Sequence, residues 1–481
     1  MQLPIQDPYK LKGKKVAILG FGKSGFASAK LLSRFDAKLI INDCKKEEEL
    51  LSQVELVKNN IQKVYAGHHT LEVIENVDLV VVSPGVPLSI PILVSAVYKG
   101  LPVIGEIELS YQILKFFKED IKIIGITGSN GKSTTSTLVY EFLRKDEKNV
   151  QLAGNIGNPL AEVVLKLIDK EITIDYLVVE LSSFQLESIK SFKPDFAAIL
   201  NITADHMDRY SSMKEYIEAK VKIFMNQSKE DYLVLNIDDK STPSVVEHLK
   251  KLYLKRSSLP HIFYFSRLHK VYGAYLEGEL IYFEPREDLD EAIRGEMKKT
   301  VLNTLDFKIK GVHNIENVMA ASLLALLSGC KGQALKDVLE KFTGLPHRME
   351  FVRVVDGVSF INDSKGTNVD AVRKSLESLN NVILIAGGRD KDGDFESLKD
   401  VVKDRVKTLI LIGEAKEKIA KALGDVVSFY FEEDMKSAVI RAKSIAKPGD
   451  TVLLSPGCAS FDMFKNFEHR GDVFKEIVNS L

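Results

Sequence analysis

Short apolar runs recur along the chain, and most are followed by a stretch with helical spacing. In a first block they are Lys14–Gly20, Lys38–Asp43, Val77–Ser83 and Pro102–Ile104. In a second they are Ile121–Ile124, Tyr176–Glu180, Phe196–Asn201 and Tyr232–Asn236. A third block begins near Leu345 and carries Val358–Asn362, Val382–Ala386, Thr408–Ile412 and Thr451–Ser455. Runs of this kind, bounded by turn residues, read as buried strands, and their alternation with helices predicts α/β layers with mainly parallel sheets. Gly105–Asp120 reads as a helical connector. Leu254–Leu305 is charged and irregular, and reads as small antiparallel strands and loops. The domain boundaries predicted are 1–105, 106–344 and 345–481.

In open α/β sheets, ligands bind beyond the carboxyl ends of the strands. The unusual polar segments lie there: Gly20–Gly25, Ser83–Gly85, Thr127–Thr134, Glu180–Ser182, Thr203–Tyr210, Asp363–Asn368, Gly387–Phe395 and Ser455–Asp462. The most informative stretch is Gly125–Thr134. It gives strand, glycine-rich turn, Lys-Ser and helix, the arrangement that holds a nucleotide triphosphate on free N–H groups and a helix N-terminus. Gly128, Ser129, Asn130, Gly131, Lys132, Ser133 and Thr134 would form the loop. Lys132 would neutralise phosphate oxygens and Ser133 would hold Mg²⁺. The usual spacing expects its first glycine at 126, where Ile126 stands, and Gly125 sits one residue early.

Other segments leave alternatives open. Gly20, Gly22 and Gly25 follow a strand, and Asp43 ends the next one. That pattern suits a nicotinamide or flavin cofactor, another nucleotide diphosphate, or a purely structural turn. Glu180 ends an apolar strand, either beside Mg²⁺ or as a solvated charge. Thr203–Tyr210 gathers Asp205, His206, Asp208, Arg209 and Tyr210. Within it, His206 can ligate a metal, meet an anion or move a proton. Lys220 lies in a helical stretch, and spacing alone reads it as a solvated or snorkelling lysine. The asparagines of Gly311–Asn317 read an adenine edge or cap a helix. Arg348 and Lys365 suit phosphates. Thr367, Lys391 and Ser460 add hydroxyls and a cation near strand ends.

Composition narrows the classes. A chain of 481 residues, 45% hydrophobic and 28% charged, is that of a soluble globular protein of several domains. Its formal net charge of -1 gives no field that would favour nucleic acid or an anionic membrane. Three scattered cysteines, Cys44, Cys330 and Cys458, make neither a disulfide framework nor a structural zinc site. No apolar run is long enough to span a bilayer, and the first residues lack the apolar core of a secretion signal. A cytoplasmic monomer is expected.

Six segments together carry a resemblance. They are Gly125–Thr134, Glu180–Leu186, Asp205–Tyr210, Gly311–Asn317, Asn362–Asn368 and Leu454–Gly471. In these the chain resembles the Mur ligase family from about Lys14 to Phe474. The resemblance implies an α/β protein of three domains: a Rossmann-like N-terminal domain for a uridine diphosphate substrate, a central P-loop ATPase-like domain, and a Rossmann-like C-terminal domain. It implies ATP-dependent ligation of D-glutamate to UDP-N-acetylmuramoyl-L-alanine through an acyl phosphate, in peptidoglycan precursor synthesis. Lys23, Ser24, Asp43, Gly85 and Asn155 would meet the UDP substrate. By position Cys44 and Lys45 would also stand around the uridine, where relatives often carry Thr-Arg. Lys132, His206 and Lys220 would be catalytic, and Asn317, Arg348, Asp363 and Lys365 would join the loop around ATP. Ser133, Glu180, His206 and a carbamylated Lys220 would serve Mg²⁺, while Thr367, Lys391, Ser460 and Phe467 would hold D-glutamate. The rivals are a Mur-type ligase for another amino acid, a folylpolyglutamate-synthase-like enzyme, a nicotinamide-dependent oxidoreductase, and a non-catalytic nucleotide-binding regulator.

Overall fold

The computed structural model describes residues 5–481 except Asp208, Ser257 and Lys310. The chain groups into two units. The first comprises Met1–Ile202, Lys214–Thr304 and Glu316–Val338; the second comprises Thr203–Met213, Leu305–Ile315 and Leu339–Leu481.

The first unit holds two sheets. One contains β1 (Lys15–Leu19), β2 (Lys38–Asp43), β3 (Ile61–Ala66), β4 (Leu79–Val82) and β5 (Val103–Gly105). Its five strands run in the order β3-β2-β1-β4-β5, all parallel. Parallel sheets are covered on both faces, which is why β4 is an unbroken apolar run with every residue buried. The expected connector forms the helix Glu106–Phe117. Two of its acids are buried and bonded. Glu106 Oε1 accepts the Ala161 N–H at 2.7 Å, and Glu108 accepts the N–H groups of Lys190, Ser191 and Phe192.

The second sheet is built from β6 (Lys122–Thr127), β7 (Val150–Gly154), β8 (Tyr176–Glu180), β9 (Phe196–Ile199), β10 (Tyr232–Asn236), β11 (His261–Ser266), β12 (Gly273–Glu277), β13 (Leu280–Glu284) and β14 (Val301–Asn303). Its nine strands run β14-β13-β12-β11-β10-β9-β6-β8-β7. The stretch expected to hold small antiparallel strands contains β11 to β14, and the outcome is mixed. β13 is antiparallel to both its neighbours, whereas β11 joins β10 and β12 in parallel. A helix absent from that expectation, Glu291–Lys299, also lies there, started by the Asp290 carboxylate accepting the N–H of Ala292.

The second unit carries β15 (Glu350–Val355), β16 (Val358–Asn362), β17 (Val382–Gly387), β18 (Val406–Ile412), β19 (Ser428–Phe431) and β20 (Thr451–Leu454), in the order β15-β16-β20-β17-β18-β19. Only the β15–β16 pair is antiparallel. One core, including Leu384, Leu409 and Leu453, lies on one face of this sheet; another, including Ile383, Ile410, Val452 and Phe474, lies on the other. The alternation along each strand produces the two cores, since successive side chains point to opposite faces. No helix among the described residues is long and apolar enough to cross a membrane.

Candidate active site

The first glycine turn closes on itself after β1. Gly20 has φ +84°, and a Cβ on Gly25 would lie 1.9 Å from the Gly20 carbonyl oxygen, so the strand-to-helix turn needs glycine at both places. Ser83 Oγ donates to Gly20 O at 2.7 Å, tying the end of β4 to this turn. Asp43 faces it: its carboxylate accepts the Phe21 N–H and, at 2.9 Å, the Lys45 N–H. Lys23, at the first turn of the helix Lys23–Ser33, donates to Gly157 O at 2.8 Å. Gly85 is exposed just beyond β4, and Ser24 lies in the first turn of the same helix.

The phosphate-type loop follows β6. Gly125 belongs to that strand, where a Cβ would meet the Pro194 ring at 3.2 Å, so it is a packing residue and takes no part in the loop. The helix Lys132–Lys145 starts directly after Gly131, whose φ of +82° favours glycine. Lys132 Nζ donates to Gly128 O and Ser129 O, both at 2.8 Å. Asn317 packs on the same turn: a Cβ on Gly131 would come 2.2 Å from Asn317 Oδ1, which also accepts from Thr135 Oγ1 at 3.4 Å.

Lys220 overturns the reading from spacing alone. It is 1% exposed, and its Nζ donates to Gly128 O at 2.9 Å. The same ammonium lies 4.6 Å from the centroid of the Tyr216 ring. Tyr216 in turn places its hydroxyl 3.1 Å from Ser129 Oγ. Residues four apart on a helix share a face, and on Met213–Val221 that face turns inward to the loop.

The residues expected to hold Mg²⁺ fit a hard cation in one specific respect. Glu180, at the end of β8, is 1% exposed; Oε1 accepts from Asn155 Nδ2 at 2.6 Å, but Oε2 has no hydrogen-bond partner among the described residues. A buried carboxylate oxygen without a donor is costly unless a cation meets it. Asn155, expected at the substrate, and Glu180, expected at the metal, thus touch. Ser133 is buried in the first turn after Gly131. His206 belongs to the second unit, where it has φ +59° and its Nε2 is 3.6 Å from Asp205 Oδ2. Asp208 lies outside the described residues. Among the described residues, no three or more His, Cys, Asp and Glu side chains form a ready-made metal cluster.

In the second unit the loop after β16 carries most of the remaining candidates. Asp363 is buried, and its carboxylate accepts from Ser375 Oγ and Ser455 Oγ at 2.7 Å each and from the Met349 N–H at 3.2 Å. Burial raises its pKa, with those donors and Arg348 acting against the rise. The carboxylate therefore organises the loop from within. Lys365 places its ammonium 3.8 Å from the centroid of Phe467, so a residue expected at phosphate meets one expected at D-glutamate. Lys391 Nζ is 3.5 Å from Asp205 Oδ1, and Asn368 Nδ2 donates to Asp205 Oδ2 at 3.0 Å. Thr367 donates its N–H to Lys365 O, and Ser460 is buried. Arg348 stands between His347 and Met349, which have φ of +62° and +47°.

Comparison with known proteins agrees with this arrangement. The Mur ligase MurD-like N-terminal domain matches residues 14–105, the Mur ligase middle domain 126–325, and the Mur ligase glutamate ligase domain 347–458. UDP-N-acetylmuramoylalanine--D-glutamate ligase of Clostridioides difficile is 42% identical over 98% of this chain and 99% of its own. The chain belongs to the Mur ligase family. The ligase of the same name from Geotalea uraniireducens is 43% identical over 98% of both chains. Among solved structures, MurF from Acinetobacter baumannii superposes with a TM-score of 0.61 at 17% identity, covering 96% of this chain and 93% of that one. MurF of Thermotoga maritima, solved with ADP, gives 0.60 at 13% identity over 99% and 97%. These two show the shared Mur ligase fold.

Two residues of this Mur ligase had no role in the sequence reading. Tyr216 was legible only as the residue four before Lys220. Arg470 lay inside the Leu454–Gly471 segment without a function assigned. It is 1% exposed, and its guanidinium donates to Ser364 Oγ at 3.0 Å, Ser364 O at 2.8 Å, Cys458 O at 3.2 Å and Ala459 O at 3.3 Å. Burial lowers its pKa to about 10. One side chain thus ties the Asp363–Asn368 loop to the loop before Ser460.

Proposed function

We propose that this chain ligates D-glutamate to UDP-N-acetylmuramoyl-L-alanine at the expense of ATP. The alanyl carboxylate attacks the γ-phosphorus of ATP, the bond to the β-phosphate oxygen breaks, and ADP leaves from an acyl phosphate. The amine of D-glutamate then attacks the acyl carbon, and phosphate departs as the amide forms. Two anions must approach in the first step, so the barrier is set largely by electrostatics.

The observation that carries this reading is the pairing of Lys132 and Lys220 on one acceptor, the Gly128 carbonyl oxygen at 2.8 and 2.9 Å. Lys132 neutralises the transferring phosphoryl group when it swaps those carbonyls for phosphate oxygens. Two ammonium groups on one oxygen repel, and carbamylation of Lys220 would remove that repulsion and supply an acid beside the loop. Mg²⁺, held by Ser133, Glu180, His206 and the Lys220 carbamate, would polarise phosphoryl oxygens. Asn317 would meet adenine, Asp363 the ribose, and Arg348 and Lys365 the phosphates. Lys23, Ser24, Asp43, Gly85 and Asn155 take the UDP substrate; Thr367, Lys391, Ser460 and Phe467 take D-glutamate. The division into domains 1–105, 106–344 and 345–481 belongs to the same reading, as does a monomer acting in the cytoplasm.

Phosphate release from ATP, measured with the muramoyl-alanine substrate and each amino acid in turn, tests it. Release should require D-glutamate. A requirement for another amino acid overturns the assigned acceptor, and no stimulation by any acceptor overturns the ligase.

A further inference from the structure

At the end of β2 a second constellation has the geometry of an activated nucleophile. The Cys44 thiol is exposed, and its Sγ lies 3.3 Å from His69 Nε2. On the other side of the ring, His69 Nδ1 lies 2.5 Å from Asn42 Oδ1. Asn42 is fully buried, and its Nδ2 donates to Tyr65 O at 3.0 Å and His68 O at 2.8 Å. Both amide hydrogens are committed there, so the atom facing His69 is an acceptor. His69 therefore carries its proton on Nδ1, donates it to Asn42, and turns the Nε2 lone pair toward the thiol. Burial lowers the His69 pKa, with Asp43 opposing the shift and His68 adding to it, which favours the uncharged ring whose Nε2 lone pair faces the thiol. The other two thiols are buried, and burial pushes both Cys330 and Cys458 up to about 12.

We propose that Cys44 is a modification site for small disulfides, with His69 as its base and Asn42 positioning the ring. The thiol proton passes to His69 Nε2 as the sulfur lone pair attacks one sulfur of the reagent. The reagent's S–S bond breaks, and the departing thiolate takes up the proton. The products are a mixed disulfide on Cys44 and one free small thiol; a second small thiol reverses the step. Asp43, the neighbouring residue, accepts the Phe21 N–H of the glycine turn, so the adduct forms one residue along the chain from a side chain that holds that turn. Resting on the function proposed above, the adduct would block the uridine nucleotide.

The test treats the full chain with dithiodipyridine and follows thiopyridone release and peptide masses. One adduct is expected, on Cys44, forming about tenfold or more faster than in His69→Gln. Cys44→Ser should form none. Between about pH 6.5 and 8 the wild-type rate should stay nearly flat, whereas an ordinary thiol gains about tenfold per unit below its pKa near 8.5. That profile needs no variant to fold. Saturating UDP should slow labelling about tenfold or more. An equal rate in His69→Gln, a tenfold rise per pH unit in the wild type, or an adduct in Cys44→Ser overturns the proposal. His69-dependent labelling that UDP leaves unchanged overturns only the blocking of the nucleotide. None of these readouts uses turnover, so they stand apart from a failure of the ligase reading.

Discussion

Lys220, on a helix beyond β9, donates its ammonium to the main-chain oxygen of Gly128 in the loop after β6, at 2.9 Å. The contact makes a helix lysine part of the phosphate-type loop. If Lys220 acts as a carbamate, Lys220→Ala should lower phosphate release by about a hundredfold, in line with one strong electrostatic group. Formate or acetate should restore part of the rate, because a short carboxylate can occupy the space of the carbamate. Wild-type turnover in this variant would return Lys220 to a packing role.

Asn155 and Glu180 should act together on the metal. Removing divalent cations with a chelator should abolish phosphate release. Asn155→Ala leaves Glu180 Oε1 without its 2.6 Å donor. The magnesium concentration for half-maximal rate should then rise about 10–100-fold, the usual effect of losing a group that orients a ligand. An unchanged magnesium requirement would remove Glu180 from the metal set.

Glu106 should make stability depend on pH. Burial pushes its carboxyl up to about 7 from an ordinary 4.5, against the pull of the Ala161 N–H. Below 4.5 both folded and unfolded chains hold the proton. Between 4.5 and 7 the folded chain keeps a proton that the unfolded chain has lost, so stability falls as pH rises, by about 3 kcal/mol in all. Glu106→Gln cannot ionise. Melting curves at pH 5 and pH 8 should show the wild type losing ground to this variant; a constant difference would refute the shift.

Arg470 should be needed for both stability and amino-acid binding. Arg470→Ala strips the donors from Ser364 O, Cys458 O and Ala459 O, at a cost of about 3–5 kcal/mol, visible as a lower melting temperature. Arg470→Lys keeps the charge but loses the planar fork. It should raise KM for D-glutamate about tenfold while moving KM for ATP less, because the loops it ties include Ser460 and lie next to Lys365. Equal effects on both constants would reduce Arg470 to a general stabiliser.

The interior strands were legible because burial on both faces leaves an apolar run, as in Leu79–Val82 and Thr451–Leu454. The strands that escaped the sequence reading, β3, β7, β15 and β19, all stand at the edges of their sheets. Ile61–Ala66 sets Gln62 and Lys63 side by side and has no fully buried residue, and every residue of Ser428–Phe431 is exposed. An edge strand has one side without a neighbour, so its sequence is mixed and its signal weak. The loops of the candidate site were legible for a topological reason: they follow the carboxyl ends of strands. The burial of Lys220 and Arg470 was not. It is decided by partners far away in sequence, such as Gly128 for one and Ser364 for the other, and local spacing carries no trace of them.

The two buried acids of the helix Glu106–Phe117 bear on how this protein can be recombined. Their bonds run forward, to Ala161 and to Lys190–Phe192, and not back into the first sheet. A chimera joined immediately after Gly105 would exchange the whole first sheet as a cassette and leave both carboxylates with their donors. The seam to match would then include the helix Lys23–Ser33, where Lys23 reaches Gly157 and Arg34, just past its end, meets Asp169, together with the Ile5 N–H donated to Gln112, the Gly105 N–H donated to Ser188 O, and the Tyr9 and Phe35 rings against Phe117.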